Sequence, residues 1–364
     1  RKRNPSLEQQ GRSTRQRLLE RAPLVAPMQL IAPVERLSQF DIHGHNQQAN
    51  DGEYFGDIFP EAASPNSSLF TFQNIGPQKK SAFHPTSRLN SRQFARSKAS
   101  VALYAEHCLN ENQLPACHLF NTRMKKHSSR SFSFLLNNTH EADSSGWHLV
   151  GGTGFSLNGL FTSHKMDHGG DISGLGRWSV ARLQGRGQTT LCVLSAYCPV
   201  KNPRNPGSVW NQHCRYLSNI GVPGNPDPRA KFGAQLCAVI QARLDAGDSV
   251  VLGMDHNEDV RTGPLGEQLK ALGLHDAILS KHSTQSPPAT FNRNTSRTPI
   301  DAIWVSANVE IIRAGYCPFG GSEGMQSDHR MLWIEVDNSS ILGKYLPSAS
   351  STPRSRLRSD DPRA

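Results

Sequence analysis

The stretch Ser249–Asp259 constrains the chain more than any other. A short apolar run from Ser249 to Leu252 reads as a buried strand. It stops at Gly253, and two polar groups follow in the spacing Asp255-x-Asn257. Residues two apart on a strand point the same way, so Asp255 and Asn257 are expected side by side at a strand end. A carboxylate there can hold or take a water proton, and an amide can donate to a phosphate oxygen. An Asx-rich turn after a strand gives the same spacing without any chemistry.

The chain has 364 residues, room for one large domain or two small ones. Hydrophobic residues make up 36%, below the usual globular share, so part of the chain is expected to stay unpacked. The formal net charge of +10 favours a polyanionic partner such as nucleic acid. The 7 cysteines are scattered and never in CxxC spacing, against a disulfide framework or zinc knuckle and in keeping with a reducing compartment. No apolar run reaches membrane-spanning length, so no membrane partner is expected. The chain starts at Arg1 without Met, which suits a piece of a longer product.

Residues 1–66 read as a basic, disordered segment, 67–337 as the folded domain, and 338–364 as a linker or disordered tail. Strands are expected at Leu69–Ile75 and Ser100–Ala105. A helix fits near Ser91–Ala99, and a strand pair at Ser131–Leu136 and Trp147–Val150. Gly151-Gly152-Thr153-Gly154 is expected to turn or bulge the backbone. Gly176–Leu183 and Thr189–Ala196 read as a hairpin, and 202–228 as mostly loop. Asp227-Pro228 caps a helix carrying Phe232, Leu236 and Ile240, which Gly247 ends. A short helix fits Leu265–Leu272. Pro299–Ser306, Val309–Ala314 and Met331–Val336 follow as strands.

Polar groups recur at the ends of these runs: Asn74, Glu106, Tyr197, Asp255, Asn257, Asp301, Asp328 and His329. Strand ends of one sheet converge in space although they are remote in sequence. Carboxylates with an amide, a His and a Tyr suit a hard divalent cation better than zinc, which favours thiolates and imidazoles. His107, His213 and His256 read as packing or solvent-facing residues rather than chemical ones.

In this order, Asn74, Glu106, Ser195-Ala196-Tyr197, Gly253-Met254-Asp255-His256-Asn257, Ile300-Asp301-Ala302-Ile303 and Ser327-Asp328-His329-Arg330 resemble the endonuclease/exonuclease/phosphatase superfamily of DNase I and exonuclease III. The match covers roughly 68–337, and its wording is most similar to endonuclease domains of LINE-type retrotransposons. The resemblance implies a four-layer α/β/β/α sandwich of two mixed sheets and a Mg²⁺- or Mn²⁺-dependent phosphodiesterase that nicks DNA for retrotransposon integration. It also implies a nuclear, intracellular protein with a reverse transcriptase domain following in the same chain.

Residue by residue, the resemblance makes Asn74, Glu106 and Asp328 metal ligands. Asp255 orients or deprotonates the attacking water, and Asn257 and Tyr197 hold the scissile phosphate. His329 donates to a phosphoryl oxygen, its tautomer fixed by Asp301. The chain departs from the family where Ile75-Gly76-Pro77 follows Asn74 without a second polar side chain, and where His256 stands between Asp255 and Asn257 in place of the more usual Phe. An abasic-site or other phosphoesterase of the same fold, or a decayed non-catalytic nucleic-acid-binding copy, are the alternatives.

Overall fold

Apolar rows that alternate along the strands decide which faces meet. The computed structural model describes residues 52–76, 99–110, 118, 122, 132–139, 149–224, 226–292 and 297–343. In chain order the strands are β1 (Phe55–Gly56), β2 (Ser67–Asn74), β3 (Val101–Ala105), β4 (Phe132–Asn137), β5 (Thr153–Asn158), β6 (Lys165–Gly170) and β7 (Trp178–Gln184). They continue with β8 (Thr190–Tyr197), β9 (Asp248–Asp255), β10 (Leu274–Asp276), β11 (Asp301–Ser306), β12 (Ile311–Tyr316) and β13 (Leu332–Asp337). The helices are α1 (Leu160–His164), α2 (Val209–Asn219), α3 (Pro228–Asp245), α4 (Pro264–Ala271), α5 (Ala277–Lys281) and α6 (Asn338–Leu342). The strands form a 7-stranded sheet, β1-β12-β13-β2-β3-β5-β4, and a 6-stranded sheet, β10-β11-β9-β8-β7-β6. Both are mixed: β2 pairs parallel with β3 and β8 with β9.

Between the sheets lie Phe70 and Phe72 of β2, Val101 and Leu103 of β3, Leu191 and Val193 of β8, Val251 of β9, and Ile303 and Val305 of β11. Each such side chain, once buried, contributes roughly 1.5–3 kcal/mol. The alternate residues Cys192, Leu194, Val250, Leu252, Met254, Ala302 and Trp304 face the other way, against Phe232, Leu236 and Ile240 of α3 and Leu265 and Leu269 of α4. A strand buried on both faces reads as a continuous apolar run, which is why β8 and β9 stand out in the sequence.

Asp227 caps α3 as expected, accepting from the Arg229 backbone N–H at 2.8 Å, and Gly247 ends the turn at φ +81°. Several expectations are corrected. The partner of β4 is β5, not Trp147–Val150; Leu149 and Val150 are not in a strand. The stretch 202–228 contains α2, which buries Val209, Trp210, Gln212, His213 and Leu217 and was hidden by the Pro-, Asn- and Gly-rich text on both sides of it. The exposed edge strand β6, reading Lys-Met-Asp-His-Gly-Gly, has no apolar alternation. Beyond 67–337, β1 pairs with β12 and α6 buries Ile341 and Leu342; segments of two and five residues are too short to show a period. The helix near Ser91–Ala99 lies outside the described residues except for Ala99.

The sheets approach each other at Gly253. A Cβ there would lie 2.6 to 2.8 Å from Phe72 side-chain atoms. Gly253→Ala is expected to destabilise the protein by about 1–3 kcal/mol through overpacking, read from urea denaturation midpoints.

His213 on α2 is buried, and burial together with the nearby Arg177 charge drives its imidazole down to about 3. The unfolded chain therefore takes up this proton first as pH falls below 6.5. The stability gained from a neutral His213 is complete above that pH and is lost progressively toward pH 3. Between pH 7 and pH 5 the native protein should lose about 2 kcal/mol more than His213→Leu in urea titrations. Parallel pH profiles for the two proteins would contradict this assignment.

Candidate active site

Each inward row ends on a polar residue at the same rim. Phe70 and Phe72 lead to Asn74, Val193 to Tyr197, Val251 to Asp255, and Val305 and Ile303 to Asp301. Strand register brings these ends together: Tyr197 lies opposite Asp255 in the parallel pair, and Asp301 opposite Asp255 in the antiparallel one. Asn74 crosses from the facing sheet. Its amide nitrogen donates to Asp255 Oδ2 at 2.7 Å and to Glu106 Oε2 at 3.1 Å.

Glu106 follows β3 in the left-handed region, at φ +53°. A non-glycine residue held there marks a position the surroundings over-determine. The fixing contact comes from the glycine turn: Glu106 N–H donates to Gly152 O at 2.7 Å and Cys108 N–H to Gly151 O at 2.9 Å. A Cβ on Gly152, itself at φ +89°, would fall 2.5 Å from His107 Nε2. The Gly151-Gly152 turn thus aims a carboxylate. Burial raises Glu106 above the usual carboxylate range and Asp328 adds to the rise, while Asn74, His329 and the Tyr197 hydroxyl oppose it.

Asp255 is fully buried. Its Oδ1 accepts from Asn257 N–H at 2.8 Å, an Asx turn at the strand end. Burial and the Asp301 charge push its carboxyl up to about 8, against the pull of His329 and Asn74. His329 Nδ1 meets Asp301 Oδ2 at 2.8 Å. Burial disfavours the imidazolium, but Asp301, with Asp255 and Asp328, outweighs it and raises His329 to about 9. Asp301 Oδ1 is buried without a partner. Ligand atoms of Asp255, Asp301 and His329 lie within 4.8 Å of one another. A metal-binding imidazole must be neutral, so a site that favours imidazolium suits an anion better.

Asn74, Glu106, Tyr197, Asp255, Asp301 and His329 therefore form one connected cluster. Asp328 stands at its edge: Oδ1 lies 3.5 Å from where a Gly76 Cβ would be, and its charge acts on Glu106 and His329. Two side chains differ from expectation. Asn74 turns its oxygen away from the carboxylates to accept from Gly76 N–H at 2.8 Å, so its N–H, not an oxygen ligand, faces Glu106. Asn257, at φ +51°, directs its amide protons to Cys198 O at 2.8 Å and Asp255 Oδ2 at 3.3 Å, holding the turn rather than pointing away from it. His256 is neutral packing, driven down to about 3 by burial while accepting from Trp304 Nε1 at 2.8 Å.

Sequence reasoning missed the supports. Gln73 uses its whole amide on the loop that carries Asp328 and His329. It donates to Met325 O and His329 O at 3.0 Å and accepts from Met325 N–H at 2.8 Å. Ser327 Oγ donates to Asn74 O at 2.6 Å and accepts from His329 N–H at 3.0 Å. Thr290 Oγ1 accepts from Ile300 and Asp301 N–H, and the Phe291 ring lies 4.7 Å from the His329 ring. Adjacency to Asn74 and His329 was the signal for Gln73 and Ser327; Thr290 and Phe291 had none.

No protein-family model matches the chain, and no curated protein matches it in sequence. Solved structures do. The catalytic domain of Xenopus laevis APE2 aligns with a TM-score of 0.52 at 16% identity, covering 77% of this chain and 97% of that one. The human Nocturnin catalytic domain with bound sulfate aligns with a TM-score of 0.51 at 13% identity, covering 80% and 99%. Two mixed β-sheets with flanking helices, the DNase I-like fold of endonuclease/exonuclease/phosphatase proteins, are therefore the architecture of this chain.

Proposed function

We infer that the protein is a divalent-cation-dependent phosphodiesterase of the endonuclease/exonuclease/phosphatase superfamily that cleaves DNA. The observation that carries this reading is the meeting, at one rim, of a buried ionisable pair, Asp301–His329, with an amide-bridged carboxylate pair, Glu106 and Asp255. The residues fit a hard cation. Glu106 and Asp328 offer carboxylate oxygens, and the thiol beside them, Cys108, is pushed up by burial and by the Glu106 charge. The available donors are then carboxylate oxygens, which suit Mg²⁺ or Mn²⁺. Glu106 and Asp328 would hold the cation, with Asn74 orienting the two carboxylates. When bound, the cation neutralises charge that builds on the phosphoryl oxygens.

The chain's own groups do the rest. Asp255 aligns a water and takes its proton as the water oxygen bonds to phosphorus and the opposite P–O bond breaks. The His329 imidazolium, steered by Asp301, donates to a phosphoryl oxygen, and the Tyr197 hydroxyl lies beside Glu106 to do the same. The motif wording supports the finer reading: a nicking endonuclease of a LINE-type element, nuclear, preceding a reverse transcriptase. The net charge of +10 supports DNA as the partner.

Purified full-length chain with Mg²⁺ should convert supercoiled plasmid to nicked circles, and a chelator should stop it. Asp255→Asn and Glu106→Gln should each lower the rate about a hundredfold or more. Undiminished nicking by Asp255→Asn would refute the mechanism.

The pH profile gives an independent check. A base must be ionised, so the rate should climb as Asp255 loses its proton near about 8, and fall as His329 loses its own near about 9. A bound cation moves the acid limb lower. Asp301→Asn removes the anion that raises both groups, so both limbs should shift toward acid. Limbs that stay in place in Asp301→Asn would separate Asp301 from the proton chemistry.

A further inference from the structure

Two neighbouring turns carry Tyr197 and Asp255. β8 ends on Tyr197 and runs into Cys198-Pro199; β9 ends on Asp255 and runs into His256-Asn257-Glu258. Asn257 joins them on the pocket side. Its N–H donates to Asp255 Oδ1 at 2.8 Å, and its Nδ2 donates to Asp255 Oδ2 at 3.3 Å and to Cys198 O at 2.8 Å. The orientation of the Asp255 carboxylate therefore depends on where this turn sits. Cys198 N–H still donates to Asp255 O at 2.9 Å, but past that point the two chains leave the sheet ladder. The carbonyls of Pro199 and His256 need donors from elsewhere.

Arg229, the second residue of α3, supplies them. Nη1 donates to Pro199 O at 3.0 Å and lies 3.5 Å from Asn257 O, while Nη2 donates to His256 O at 2.9 Å. One planar guanidinium spans both turns, which the compact ammonium of a lysine does not match. Both ends of the side chain are fixed. Asp227 caps the helix through the Arg229 N–H at 2.8 Å, and Pro228 sets the first helical residue. At the far end Nη2 pairs with Glu258 Oε2 at 2.5 Å, and Glu258 Oε1 accepts from Leu265 N–H in α4 at 2.8 Å. Arg229 and Glu258 are 17% and 18% exposed, so water competes little for these charge-assisted bonds. Among the described residues, none of the hydrogen bonds of the guanidinium ends on a side chain of the pocket.

We propose that Arg229 is a positioning residue for hydrolysis: it clamps the β8 and β9 turns together from the α3 side and so fixes Asp255 and Tyr197 relative to one another. The inference deepens the phosphodiesterase reading and rests on it for the reaction. The clamp acts through Asn257, the residue that ties its turn to the carboxylate. Its loss is felt in turnover rather than in substrate binding, because a displacement of about 1 Å at the reacting groups can cost about a hundredfold in rate.

The test uses the full-length chain, native and with Arg229→Ala or Arg229→Lys, on thymidine 5′-p-nitrophenyl phosphate in Mg²⁺. In Arg229→Ala kcat should fall about a hundredfold and KM should stay within about twofold. Arg229→Lys keeps the charge but loses the fork, and its kcat should still fall roughly tenfold. Methylguanidinium should restore most of the Arg229→Ala rate, and methylammonium should not. In an Asn257→Ala background, Arg229→Ala should cost less than about threefold, since the two act as one unit. Amide hydrogen exchange reads the clamp without activity: Cys198 and Asn257 should exchange faster in Arg229→Ala, with Val193 and Val251 in mid-strand unchanged. Native kcat in Arg229→Lys overturns the clamp. So does the same loss with and without Asn257, accompanied by a lower urea midpoint and no rescue. Unchanged exchange at Cys198 and Asn257 overturns it whatever the rates. Absence of hydrolysis by the native chain sinks the phosphodiesterase reading, and the exchange experiment still decides whether Arg229 holds the turns.

Discussion

Everything at the rim depends on parity. Two sheets packed face to face dedicate every second residue of each inner strand to one shared core. A strand that runs past the edge of that core continues to point its alternate residues inward. On β2, β8, β9 and β11 the residue that falls there is Asn74, Tyr197, Asp255 or Asp301. Slipping β9 by one residue would send Asp255 to the helix face with Leu252 and Met254, and bring those apolar chains into the site. Packing thus fixes the direction of the polar groups before any hydrogen bond forms. The close approach of Gly253 to Phe72, one inward residue behind Asp255, sets the distance between the sheets at that point.

Burial then supplies the electrostatics. Three carboxylates, Glu106, Asp255 and Asp301, end in a pocket where charge is poorly solvated, and only one protonated imidazole faces them among the described residues. The physics of a low-dielectric site explains both signs of shift. Asp255 holds a proton it would release in water, Glu106 is shifted in the same direction, and His329 keeps a proton it would lose. Such a cluster carries an excess of negative charge whenever the carboxyls ionise. In the proposed reading a divalent cation would relieve that excess, which would tie its binding to the ionised state of Asp255.

The sequence revealed the inward rows and their terminal polar residues because burial on two faces leaves a strong apolar signature. It did not reveal what those polar groups touch. The spacing Asp255-x-Asn257 fitted both a strand-end pair and an Asx turn; the structure shows the turn, with Asn257 bonded to Cys198 O and Asp255. Asn74 carried the pattern of an oxygen ligand, but Gly76, which takes the place of a second polar side chain, donates its N–H to the Asn74 oxygen and reverses the amide. α2 and β6 were missed for different reasons: the apolar stripe of α2 lies within Pro-, Asn- and Gly-rich text, and β6 buries nothing. His107, His213 and His256 were set apart from the chemistry in the sequence, as packing or solvent residues, and all three are buried.

Left-handed backbone gathers at this rim. Glu106 and Asn257, both in the left-handed region, bracket the site from opposite sheets, and Asp301 Oδ1 is a buried acceptor without a donor. Each is unfavourable for folding, by about 1–3 kcal/mol for a strained backbone and a similar amount for an unmet acceptor. The Gly151-Gly152 turn and the Gln73 clamp supply the fixed surroundings that hold them in place. A polar cluster built only for stability would have relaxed Glu106. That the strain persists inside a well-bonded frame supports the proposed reading of this rim as a substrate site rather than as core.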